Sequence, residues 1–149
     1  MLYLTEQKRE ACGKKLKELA PSSKTERGVL SMQKNLYEIA KSFIISAGNS
    51  DEFPAPYYTR LNNLLSNNDA ARELYKNADD NEKPALAVYL YNILMVRQNF
   101  YERYEKELAD ARDPQRKIET EIKLNTVRDL LDAYRLCYVS LGGRKDMII

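Results

Sequence analysis

The sequence predicts an all-α fold: a single-domain antiparallel helical bundle of five or six helices with a long C-terminal helical hairpin. Three observations carry that expectation. Strand signals are scarce, with few valines and threonines, five glycines and no useful run of alternating apolar and polar residues. Helix starts and stops are frequent, and the apolar residues between them recur at three- and four-residue steps, the spacing of one helix face.

The first helix is expected over about residues 5–20, with Thr5 as its N-cap, Leu4 as a staple before it and Pro21 as its stop. Ala11, Cys12, Leu16 and Leu19 give it a narrow apolar stripe, and Gly13 weakens it by about 1 kcal/mol relative to alanine. The second helix, 24–47, follows the capping box Ser23-x-x-Glu26 and stops at Gly48. Val29, Met32, Leu36, Ile39, Ala40, Phe43 and Ala47 mark its buried face. "GNSDEFPAPYY" reads as a loop, because two prolines among Gly, Asn, Ser and Asp do not continue a helix. Two short helices, 57–65 and 69–76, are expected next.

A long helix over 82–112 then runs about 45 Å at 1.5 Å per residue, with Asp80 or Asn81 as its cap and Pro84 tolerated in the first turn. From Ala85 to Val96 it is apolar on every face except for Asn92. That run is too short for the roughly 20 residues of a membrane span, so this half belongs at the centre of the domain. Beyond Arg97 only Phe100, Tyr101, Tyr104 and Leu108 keep an apolar stripe, which one neighbouring helix can cover. Asp113 and Pro114 form a helix-start signal for the last helix, 114–141, with Ile118, Ile122, Val127, Leu130, Leu131, Tyr134, Cys137, Tyr138 and Leu141 facing inward. The short connection makes the last two helices an antiparallel hairpin whose tip, around Asp113, projects from the bundle. Gly142 and Gly143 end the helix, leaving a tail over 142–149.

The chain is 149 residues long, the size of one domain, and 1–149 is read as a single helical domain without linker or repeat. With 24 basic and 22 acidic residues the net charge is only +2, too small to make nucleic acid or an anionic membrane the default partner. Cys12 and Cys137 lie far apart among apolar helical positions, which suits buried free thiols and a cytoplasmic location. The N-terminal stretch lacks the apolar core and cleavage site of a signal peptide, so nothing in it marks the chain for export.

The inventory for chemistry is thin. There is no histidine, which removes Ser-His and Cys-His pairs, imidazole metal ligands and the Glu-x-x-His di-iron arrangement. Glu102 with Glu105, Glu119 with Glu121, and Asp129 with Asp132 are acidic pairs. Basic neighbours at helical spacing make them solvated ion pairs. In "SLGGRKD" the glycine pair and Arg144 and Lys145 follow a helix where a phosphate site opens one, so the stretch reads as a C-cap with a basic tail.

Eleven tyrosines, against no tryptophan and three phenylalanines, are the unusual feature of the composition. Tyrosine combines a large apolar body with a polar tip and suits interfaces. The expected function is therefore a non-enzymatic protein-interaction or assembly module that associates with itself, a homodimer being favoured over another protein partner. Tyr57, Tyr58, Tyr91, Tyr101, Tyr104 and Arg103 are the candidate interface. Tyr89 and Tyr91, about 200° apart on a helix, need two different neighbours. One alternative is a nucleic-acid-binding accessory protein using Lys8, Arg9, Lys14, Lys15 and Lys17 of the first helix. The other is a small-molecule sensor bundle with a pocket lined by Tyr89, Met95 and Tyr134. No catalytic residue, cofactor, metal or membrane contact is expected.

Overall fold

The computed structural model describes the backbone of residues 1–48 and 55–144 and the side chains of 1–46 and 59–144. Among the described residues every regular element is helical, and the fold is an all-α bundle. Helix α1 spans Leu2–Glu18, α2 Lys24–Gly48, α3 Ala55–Ser66 and α4 Asp69–Asn77. Helix α5 (Lys83–Val96) continues through a π-helical turn (Arg97–Tyr101) into α6 (Glu102–Asp110), and α7 spans Pro114–Ser140.

Several starts differ from expectation for local reasons. Helix α1 begins at Leu2, so Thr5 is not a cap. Thr5 is fully buried, and its hydroxyl donates to the Met1 carbonyl at 3.0 Å. Helix α3 begins two residues early, taking Ala55 and Pro56 out of the expected loop, since proline is tolerated where a first-turn N–H has no partner anyway. The rest of that loop, from Asn49 to Pro54, lies outside the described residues, as does the tail beyond Arg144. Neither Asp80 nor Asn81 caps α5: Glu82 holds the position without a side-chain cap, and Asp80 pairs with Lys83 Nζ at 2.8 Å. Two capping oxygens are in place, Asn68 Oδ1 on the Ala71 N–H at 3.0 Å and Asp113 Oδ2 on the Arg116 N–H at 2.9 Å.

Helix α5 is the centre of the bundle. It packs against α2, α3, α4 and α7, while α1 lies along α2 and α6 pairs with α7. Leu86, Ala87, Tyr89, Leu90, Tyr91, Ile93, Leu94 and Val96 are all buried, as an apolar-all-round helix requires. Tyr89 stacks on Tyr138 of α7 with ring centroids 4.3 Å apart.

The long helix is not one uninterrupted α-helix. At Arg97–Tyr101 the ladder widens, and the Glu102 N–H bonds to the Arg97 carbonyl, an i→i+5 pairing. Asn99 Nδ2 donates to the Met95 carbonyl at 2.7 Å at this point, offering the backbone a side-chain donor where the register changes. The extra residue shifts the helical phase of α6 relative to α5. Phe100 lies against Phe43 of α2 and against Tyr104, both at 6.1 Å, and the stripe then meets α7.

Some positions expected inside are outside. Ile118 is 54% exposed at the hairpin tip and Leu141 is 84% exposed past the end of α7. Ala11 is exposed, and on α2 the buried set is Leu36, Tyr37, Ala40 and Ile44, with Val29, Met32, Ile39 and Phe43 only half-buried. Cys12 is buried, Cys137 half-buried, and both are free thiols.

Candidate functional site

Arg103 pairs with Glu107 at 2.8 Å and Arg135 with Asp132 at 3.1 Å, both between exposed or half-exposed helix positions. Glu119 accepts from Gln115 at 3.0 Å, a neighbour on its own helix. No group of three or more metal-ligating side chains gathers among the described residues. None of the described helices is long and apolar enough to cross a membrane.

The candidate tyrosine surface divides. Tyr91 and Tyr104 are buried inside the chain, so they offer no surface to a partner. Tyr101 is half-buried with the Arg97 guanidinium 5.8 Å from its ring centre; exposed Arg103 lies 5.9 Å from the Tyr104 ring. The side chains of Tyr57 and Tyr58 lie outside the described residues. Much of the tyrosine excess is therefore used within the fold. Burial pushes the hydroxyls of Tyr89, Tyr104 and Tyr134 up, and that of Tyr37 to about 12.

Two of the residues suggested for a ligand pocket make packing contacts in the interior. Tyr89 is stacked on Tyr138, and fully buried Tyr134 meets Thr5 Oγ1 at 3.3 Å. Met95 is only half-buried.

The basic candidates are partly assembled. Arg9, Lys14 and Lys17 of α1 join Arg27 and Lys34 of α2 around an open groove of about 810 Å³; Lys8 and Lys15 are not part of it. Two of these cations are already engaged. Arg9 pairs with Glu6 and, at 3.3 Å, with Glu38. Arg27 donates to the carbonyls of Leu16 and Leu19 at 3.0 and 3.3 Å, closing the end of α1. Glu6, held between Arg9 and Lys41, has its carboxyl lowered to about 2 by hydrogen bonds from those two side chains.

One concavity has no counterpart among the sequence expectations. The start of α1, the start of α5 and the end of α7 enclose a groove of about 510 Å³ lined by Met1, Leu2, Ile44, Val88, Tyr138 and Leu141, among others. Glu82 supplies the one charged side chain among its described lining residues. Leu141 stands on its rim, and Leu2 is 42% exposed there. The available signal was the apolar character of "MLYL" at the start together with Leu141 at the expected last turn. Nothing in one-dimensional spacing says that these two stretches meet.

A smaller cleft of about 190 Å³ opens beside the π turn, between Arg97 and Tyr101 on one side and Arg128, Leu131, Asp132 and Arg135 of α7 on the other. The chain matches no protein-family model, no curated protein and no solved structure.

Proposed function

We propose that this chain is a non-enzymatic assembly module that pairs with a second copy of itself through the apolar end of the bundle, where α1 and α5 begin and α7 ends. The observation that carries the reading is the coincidence, on one rim, of an apolar groove and a protruding leucine. A two-fold interface presents the same surface twice, so it needs a patch that complements itself. Leu141 at 84% exposure supplies the projection, and the groove floored by Ile44, Val88 and Tyr138 supplies the receptor. Free Cys12 and Cys137 suit a reducing compartment, and we place the module in the cytoplasm.

Light scattering over a dilution series tests this. A dimer that dissociates on dilution is expected. The same series on a chain ending at Arg144 separates a second copy from the chain's own last residues as the occupant. An unchanged dimer supports the pairing, whereas a chain that is monomeric throughout removes it.

The groove between α1 and α2 favours a second reading, a nucleic-acid accessory role, because it places Lys14, Lys17 and Lys34 together. Retention on single-stranded nucleic acid that falls with salt and is lost when these three become glutamate is its expected outcome. No retention at low salt eliminates it.

A further inference from the structure

We infer that the cleft at the π turn is a binding site for a phosphate-class oxyanion, either free phosphate or the phosphate group of a small metabolite. Three arginines, Arg97, Arg128 and Arg135, line one concavity from two different elements, and Asp132 is the one acidic residue among its described lining. Arginine presents a planar fork of donors that matches two oxygens of one anion. The cleft is small, about 190 Å³, which suits a compact oxyanion.

The arginines are not consumed by the fold to the same degree. Arg128 donates to Asn125 Oδ1 at 3.1 Å, and Arg97 rests against the Tyr101 ring; neither has a carboxylate partner among the described residues. Arg135 is paired with Asp132 and also meets the Tyr89 hydroxyl. That hydroxyl belongs to a fully buried residue and has no partner of full hydrogen-bond geometry among the described residues. Arg135 is therefore the arginine of the three that an exposed carboxylate already engages. Leu131 adds an apolar floor, which strengthens charge-assisted hydrogen bonds by excluding water from one side.

The π turn supplies the geometry. Arg97 and Tyr101 open and close the widened turn, and both line the cleft on the side facing α7. Single π turns of this kind are frequent at functional sites. The cleft and the pairing surface share no residues, so either assignment can fail without the other.

The test is titration calorimetry on the full chain with inorganic phosphate, pyrophosphate, glycerol phosphate and citrate, at constant ionic strength set with chloride. One saturable site for the phosphate compounds is expected, with citrate weaker. Arg128→Gln, an exposed change that leaves the core intact, lowers affinity by about tenfold, the loss of one charge-assisted pair. Arg97→Lys does not restore what Arg97→Gln loses, because lysine lacks the fork. Asp132→Asn tightens binding. The assignment is overturned if Arg128→Gln binds like the parent, if Asp132→Asn weakens binding, or if changing Lys14, Lys17 and Lys34 to glutamine abolishes it.

Discussion

The hydroxyls of Thr5 and Tyr134 meet at 3.3 Å in the interior, joining the first helix to the last across 129 positions of sequence. Both side chains are fully buried. Thr5 gives its proton to the Met1 carbonyl, so Tyr134 is the donor between them. Removing the Thr5 hydroxyl strands that of Tyr134, whereas Tyr134→Phe leaves Thr5 bonded to the Met1 carbonyl and is expected to cost about 1 kcal/mol, the usual size for one such hydrogen bond. Denaturant unfolding of Tyr134→Phe, Thr5→Val and the double variant measures it. The double variant should lose less than the sum of the two singles.

The end of α7 is closed by two glycines with separate duties. Gly142 has φ +89°, and its N–H bonds to the Val139 carbonyl while the Gly143 N–H bonds to that of Tyr138 at 2.9 Å, a Schellman closure. Gly142→Ala should cost about 1 kcal/mol through backbone strain alone. Gly143→Ala should cost more, since its Cβ would lie 2.4 Å from the Tyr138 ring, which is stacked on Tyr89. Thermal melts of the two variants rank them.

Glu6 ties α1 to α2 through Lys41 at 2.9 Å, and on its own helix it pairs with Arg9, which reaches Glu38 of α2 at 3.3 Å. Its carboxyl titrates at about 2 in the fold against 4.5 in an ordinary chain. The native state therefore keeps the charge where the unfolded chain has taken up a proton, so stability is present above pH 4.5 and is lost as pH falls toward 2. Glu6→Gln should be less stable than the parent at neutral pH, with the two urea midpoints converging as pH drops through that window. A gap that stays constant contradicts the assignment.

What spacing and punctuation can express, the sequence expressed well. Pro114 after Asp113 and the glycine pair after α7 each act on neighbours a few residues away, and the structure uses both of them. The burial of most of Leu86 to Val96 was legible because an apolar ring around a helix seeks neighbours on every side, although Ala85 is exposed and Val88 and Met95 are half-buried. The π turn was not, since a register shift depends on how Phe100 and Tyr104 fit neighbouring helices. Thr5 misled because a threonine near a chain start resembles a cap, yet its hydroxyl was needed beneath Tyr134. Tyrosines at 91 and 104 resembled an interface because composition reports how many amphipathic rings exist and not which of them the chain covers itself. The apolar groove and the arginine cleft join residues far apart in sequence, and helical phase alone does not show which helices meet.

The most direct measurement is sedimentation equilibrium on the parent and on Leu141→Glu, with circular dichroism to establish that both are folded. Leu141 is exposed and past the last helical turn, so the substitution spares the core. It places a charge on the rim of the apolar groove, which Glu82 also lines. If the apolar end pairs two copies, the parent sediments as a dimer and Leu141→Glu dissociates at least about tenfold more readily. Two folded proteins with the same mass distribution would contradict the account.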